Sequence, residues 1–380
     1  MIEIANRLDA VKEYYFSTKL REVRNLISQG KPIINLGIGS PDLEPPTEVL
    51  NALNNANVHG YQSYQGTPEL RIAIANFYKK HFSVSLNSEK EVLPLMGSKE
   101  GILHISMAYL NAGDEVLIPN PGYPTYTSVT NLVQAKPVFY DLTADTNWMP
   151  DLDALEKLNL TKVKIMWTNY PHMPTGSNAK EGLFKKLIAF GKKHQILIVN
   201  DNPYSFILNN NPKSILSISG AKETAIELNS LSKTFNMAGW RVGMVVGNAT
   251  ILNNILKVKS NMDSGMYYGI QQGAIAALNL SDAWFDNLNQ IYSKRREVIW
   301  EICDEIGCTY DQESTGLFVW AKIPEGKKAN EITDALLYKY DVFITPGTVF
   351  GTNGEGYIRF SLCVSEEKIQ EVLIRISKKS

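Results

Sequence analysis

Between residues 66 and 280 the chain alternates short, β-branched apolar runs with stretches whose apolar positions recur at helical spacing. The runs at 91–96, 115–118, 137–140, 164–168, 196–200, 225–229 and 242–246 predict strands. Helical patterns lie between most of them, for instance at 99–110 and 180–194. The runs are almost continuously apolar, which predicts strands buried on both faces. The expected fold class is therefore α/β, a mostly parallel seven-stranded sheet sandwiched by helices. Ligands of such sheets sit outside the carboxyl ends of the strands, so the residues just past each run are where chemistry is sought.

The flanks read differently. Residues 1–30 predict a partly amphipathic helix ending at Gly30, with Lys31 and Pro32 beyond it. Ile34 to Pro46 reads as a short strand running into a turn-rich loop. After Leu280 a long helical stretch runs through Ser293 to Ile306, then a strand at 316–323, a helix at 329–340, short strands at 342–344 and 357–362, and a last helix. This predicts a smaller α+β lobe. The expected division is an N-terminal arm and part of the small domain at 1–44, a large ligand-binding domain at 45–280 and a small C-terminal domain at 281–380.

Composition narrows the function classes. Lysine plus arginine number 38 and aspartate plus glutamate 39, so no basic excess points to nucleic acid. No stretch approaches the ~20 apolar residues of a membrane helix, and the first residues alternate charge with apolar positions rather than forming a leader. Cys303, Cys308 and Cys363 form no CxxC pair, so no metal is expected and core thiols in a reducing compartment are. A cytoplasmic protein acting on small metabolites is the expectation.

The richest segment for chemistry is Ser230-Leu-Ser-Lys233-Thr-Phe-Asn-Met-Ala-Gly-Trp-Arg241-Val-Gly243. A lysine in a loop is ordinarily a surface charge. Here it lies just past a strand among hydroxyl side chains, with an arginine eight residues on. A lysine must lose its proton to act as a nucleophile, and its ordinary pKa is about 10.4. Desolvation and a neighbouring Arg241 would lower it, while the same arginine and hydroxyls suit a phosphate.

This segment resembles the lysine signature of fold-type I pyridoxal-phosphate enzymes, the class I and II aminotransferases. The resemblance runs from Leu36 to Ser361 with the family's motifs in order, and is nearest the branch of LL-diaminopimelate, alanine and aspartate aminotransferases. It implies a pyridoxal 5′-phosphate cofactor held on Lys233 as a Schiff base, with Lys233 also moving the substrate's α-proton. It assigns the cofactor phosphate to Gly97, Ser98 and Lys99, where a strand turns into a helix, and to Ser230 and Arg241. Tyr123 would stack on the ring, Asp201 would pair with its nitrogen and Tyr204 would bond its hydroxyl. Tyr61 matches a tyrosine that reaches the partner's site in a homodimer, although Tyr64 lies close by. Arg359, in an otherwise apolar strand, would clamp the substrate α-carboxylate with the Gly39 backbone, and Tyr15 and Phe16 would line the side-chain end.

The implied reaction moves an amino group from an L-amino acid to a 2-oxo acid by a ping-pong cycle in amino-acid metabolism. Three other readings share parts of the pattern: a C–S β-lyase, an acyltransferase of the oxoamine synthase group and a non-catalytic cofactor-binding sensor. One position departs from the family. Where it has Asn-Pro-Thr-Gly, this chain has Met173-Pro-Thr-Gly, and a thioether cannot donate a hydrogen bond. The Lys233 linkage is then expected to hold its proton to a higher pH, unless His172 or Asn169 compensates. Lys19 and Lys259 are the candidates for a second substrate carboxylate, each ordinarily a solvated charge.

Overall fold

The computed structural model describes residues 2–378. Strand β1 (Ile34–Asn35) leads, and β2 (Val92–Leu95), β3 (Glu115–Asn120), β4 (Lys136–Asp141), β5 (Val163–Thr168), β6 (Leu197–Asp201), β7 (Ala225–Ser230) and β8 (Gly243–Gly247) follow. The last seven form one sheet in the order β2-β8-β7-β6-β5-β3-β4. Only β8 runs against the rest, antiparallel to both β2 and β7. Every predicted strand is present, shifted at its ends by a residue or two.

Helices cover both faces, as the continuous apolar runs require. On one side Ile74, Phe77, Leu187 and Ile188 join a core that reaches Met166 and Met244. On the other, Ile102, Ile105, Leu252 and Ile255 pack on Ile165, Val199 and Leu228. The three cysteines are buried and unpaired.

Strands β9 (Thr309–Tyr310), β10 (Phe318–Lys322), β11 (Val342–Phe343), β12 (Thr345–Pro346) and β13 (Tyr357–Ser361) lie beyond the long helix Ala283–Glu305. Four of them form a second sheet, β12-β13-β10-β9, while β1 pairs parallel with β11. The N-terminal segment is thus tied to the C-terminal one.

The expected helix over residues 1–30 is corrected. The α-helix covers only Tyr15–Ser28, preceded by a 3-10 turn at Asn6–Leu8. Among the described residues the first buried apolar side chain is Phe16, and Ile2, Ile4 and Leu8 before it are exposed. A short helix without tertiary packing is marginal in water.

Candidate functional site

The topology gathers the chemistry at one edge of the large sheet. Five strands run the same way there, so Gly97 after β2, Tyr123 after β3, Asn169 after β5, Asp201 at the end of β6 and Lys233 after β7 reach a common rim. Because β8 is reversed, Arg241 just before its start reaches that rim too. Together with Arg359 from β13 and the helix Tyr15–Ser28, these elements enclose a cavity of about 570 Å³. Phe16, Gly39, Ser98, Lys99, Tyr123, Asp201, Tyr204, Ser230, Lys233, Arg241 and Arg359 all line it.

One end of the cavity is built for an anion. The helix Ser98–Tyr109 starts at Gly97 with no side-chain cap on its first N–H groups, and such free donors favour a negative group. Gly97 has φ +90°, and a Cβ there would run into the Arg241 guanidinium, so only glycine lets the two approach. Arg241 Nη1 donates to Ala238 O at 2.8 Å, which leaves further donors free. The Ser230 hydroxyl donates to Ser232 Oγ at 2.8 Å, and both serines face the cavity. Burial and the Arg241 charge lower the Lys99 pKa, and its Nζ stands 4.4 Å from the centre of the Tyr14 ring.

At the floor, Asp201 is buried without a cationic partner. The Tyr126 hydroxyl donates to Oδ2 at 2.9 Å, while buried Oδ1 has no partner. Burial raises its pKa from 3.8 to about 7, against the Tyr126 hydrogen bond, with the Glu227 carboxylate adding to the rise. Burial also raises the Tyr204 and Tyr123 hydroxyls above their ordinary range, so both remain donors. Lys233 Nζ donates to Gly39 O. Burial lowers the Lys233 pKa; Cys363 opposes this, and Arg359 and Arg241 add to it.

Arg359 is the second isolated charge. It is 4% exposed, yet no carboxylate pairs with it among the described residues. Nη2 donates to Gly37 O at 2.8 Å, Nη1 contacts Met173 Sδ at 3.4 Å, and Nε has no partner. Phe318 and Phe350 flank the guanidinium at 3.9 and 4.6 Å. Burial lowers its pKa to about 10, so the charge persists at neutral pH. A buried, unpaired guanidinium is costly unless something anionic joins it.

The expectations for Tyr15, Lys19 and Lys259 land elsewhere. Tyr15 is off the cavity wall: its hydroxyl lies near Asp334, Glu22 and Tyr338, and Tyr14 takes the place beside Phe16. Tyr14 precedes the helix in extended backbone and Tyr15 is its first residue, so the two side chains diverge. Lys19 pairs with Glu22 at 2.9 Å. Lys259 is not solvated but 2% exposed and paired with Asp263, so neither lysine faces the cavity. Tyr61 is 93% exposed, outside its own chain's cavity.

Beside Met173, Asn169 lines the cavity; its Nδ2 donates to Asp201 O at 2.5 Å and its Oδ1 accepts from the Met173 N–H at 2.7 Å, which leaves one amide N–H. His172 is buried off the cavity against Thr175. Tyr126 and Tyr14 line the cavity without having been singled out by the sequence, beside Ser232, one of the hydroxyls next to Lys233. Tyr126 sits three residues past Tyr123 on the helix Pro124–Leu132, a spacing that puts both on one face.

Comparison with known proteins then decides the family. The sequence profile described as Aminotransferase class I and II matches residues 31–376. The chain belongs to this family. It is 39% identical to an LL-diaminopimelate aminotransferase of Aquifex aeolicus over 99% of both chains. It is 38% identical to the enzyme of that name from Halothermothrix orenii, over 99% of this chain and 98% of the other. The substrate-bound BacF structure from Bacillus subtilis superposes with a TM-score of 0.95 at 34% identity, covering 100% of this chain and 98% of that one. The chain is a transaminase of the fold-type I class, dependent on pyridoxal phosphate.

The cavity fits that cofactor. The uncapped helix start with Arg241, Ser230 and Ser232 could hold its phosphate, and the orphan Asp201 Oδ1 could meet a protonated ring nitrogen. Lys233, a lysine with a lowered pKa on the same wall, suits its aldehyde.

Proposed function

We propose that the chain transfers the amino group of an L-α-amino acid to a 2-oxo acid with Arg359 gripping the substrate's α-carboxylate. Arg359 carries this reading, because its buried charge lacks only an anion. Bound pyridoxal phosphate supplies a carbonyl carbon that condenses with amines and a ring that draws electrons from the adjoining carbon. The rest falls to side chains. Lys233 Nζ takes the proton from the substrate Cα and returns it, which its lowered pKa permits. Asp201, ionised beside a cation, keeps the ring nitrogen protonated. Tyr123 covers one ring face, and Tyr204 donates to the ring oxygen. The Gly97–Lys99 turn, Ser230 and Arg241 fix the phosphate, while Phe16 and Tyr14 cover the side-chain end.

LL-diaminopimelate is the donor suggested by the relatives' names. A second reading rests on one observation: beyond Arg359 the wall is Tyr14, Phe16, Ser17, Leu20 and Ile38, and none of these described residues offers a carboxylate for a distal ammonium. That favours a donor with a neutral, apolar side chain. A panel of LL-diaminopimelate, aspartate, alanine, leucine and phenylalanine with 2-oxoglutarate separates the two. A kcat/KM for diaminopimelate at least tenfold above the apolar donors supports the first, and the reverse order the second.

We further propose a homodimer in the cytoplasm, divided near residues 44 and 280 as the sequence suggests. Val58, Tyr61, Tyr64, Met262 and Tyr267 expose apolar surface on two adjoining segments, and apolar clusters of that kind mark interfaces. Tyr61 would reach the partner's phosphate site. The three buried free thiols suit a reducing compartment. Sedimentation at micromolar concentration should give twice the mass of 42.5 kDa; a single-chain mass would refute the dimer.

A further inference from the structure

The segment Lys259-Ser-Asn-Met-Asp263-Ser-Gly265 has no part in the cavity, yet it contains a fully buried ion pair. Lys259 and Asp263 side chains are 2% and 3% exposed, with Nζ 2.9 Å from Oδ2. Lys259 Nζ also donates to Tyr64 O at 2.8 Å and to Asp263 Oδ1 at 2.9 Å. Asp263 Oδ1 in turn accepts from the Gly265 N–H at 2.8 Å. Gly265 has φ +86°, and a Cβ there would sit 2.5 Å from Gln62 O, so the backbone of residues 62–64 rests directly on it. Just beyond, buried Gln271 accepts from the Thr67 N–H at 2.7 Å and donates to Met266 O at 2.8 Å.

All these fastenings hold the stem of the loop that carries Tyr61, and the Tyr61 side chain itself stands 93% exposed. A buried ion pair is a costly way to stabilise a fold, since apolar residues of the same volume serve as well or better. Its distinct product is geometry: a charged donor fixed by a carboxylate pins one backbone carbonyl. We propose that Lys259 and Asp263 are positioning residues that hold the Tyr61 loop in the conformation needed at the partner subunit's cofactor phosphate. The proposal rests on the dimer reading of Tyr61 given above.

The test is cofactor affinity of the dimeric enzyme, measured by equilibrium dialysis against pyridoxal phosphate. The variants are Tyr61→Phe, the charge-free pair Lys259→Met with Asp263→Leu, and all three changes together. A lost hydrogen bond to a charged phosphate weakens binding about tenfold. Tyr61→Phe and the charge-free pair should each show this loss, and the triple variant no more than either. A folding defect alone would not produce that non-additivity. Should the charge-free pair fail to fold, Gly265→Ala displaces the same loop with the ion pair intact and should weaken binding likewise. Wild-type affinity in the folded latch variant, or a fully additive loss in the triple variant, overturns the latch while the Tyr61 reading stands. Wild-type affinity in Tyr61→Phe overturns the Tyr61 reading and the latch with it.

Discussion

The two ends of the cavity are built on opposite rules. At the cofactor end almost every group is polar, buried and short of one partner: Asp201 Oδ1 and Arg359 Nε are orphaned, and the helix at Ser98 is uncapped. At the side-chain end Phe16, Leu20 and Ile38 offer mainly apolar surface, with the Ser17 hydroxyl the polar exception. Unmet buried polarity is expensive, so it specifies what must arrive: a phosphate, a protonated ring nitrogen, a carboxylate. Apolar surface specifies only size and absence of charge. Hence the reaction class is fixed at one end, while the choice of donor is loosely held at the other.

If that contrast is right, substitutions at the two ends differ in size and kind. The largest effect is expected at Asp201. Folding raises its pKa from 3.8 to about 7, about 4 kcal/mol at about 1.36 kcal/mol per pH unit. The folded cofactor-free protein binds this proton more tightly than the unfolded chain. Its stability therefore falls, on this group's account, as pH rises from about 4 to about 7. Buried His172, lowered to about 3, acts oppositely below pH 6.5, so the comparison must be with Asp201→Asn at each pH. Cofactor-free Asp201→Asn should gain melting temperature over wild type across that window; a constant difference contradicts the assignment.

Next comes Arg359→Leu, expected to lower kcat/KM for amino acids about a hundredfold. Amine donors without a carboxylate should be spared, and equal losses for both would place the clamp elsewhere. Leu20→Ala should change activity by less than about tenfold, because it removes only apolar contact. Its effect should depend on the donor; a loss as large as that of Arg359→Leu would erase the contrast between the ends. The smallest effect is expected at Met173→Asn. An amide can donate where the thioether cannot, so the visible absorbance of the loaded enzyme should titrate at a lower pH than wild type, by about one unit or less. Coincident titrations would show that position 173 does not set the proton affinity of Lys233.

The sequence carried the cofactor end well because each motif is contiguous and follows a strand. Apolar runs that stop at a polar residue place Lys233 after β7 and Asp201 at the end of β6, and the resemblance to class I and II aminotransferases supplies their expected roles. The side-chain end was less legible because it is assembled from distant segments. Tyr14 and Tyr15 are neighbours in sequence, and only the docking of the helix Tyr15–Ser28 decides which faces inward. Lys259 looked like a surface charge because its partner carbonyl, at Tyr64, lies 195 residues away. The helix expected over the first residues failed for a related reason: charge alternation cannot reveal that no core lies beneath it.

One measurement bears most directly on the claim that the cofactor end alone fixes the reaction. The loaded enzyme is mixed with an amino donor it accepts, without any 2-oxo acid, and products are quantified per chain. One equivalent of the donor's 2-oxo acid is expected, with no free ammonia and then arrest until an acceptor oxo acid is added; Lys233→Ala should release none. Continuous release of oxo acid and ammonia without an acceptor, as a lyase would give, would contradict it.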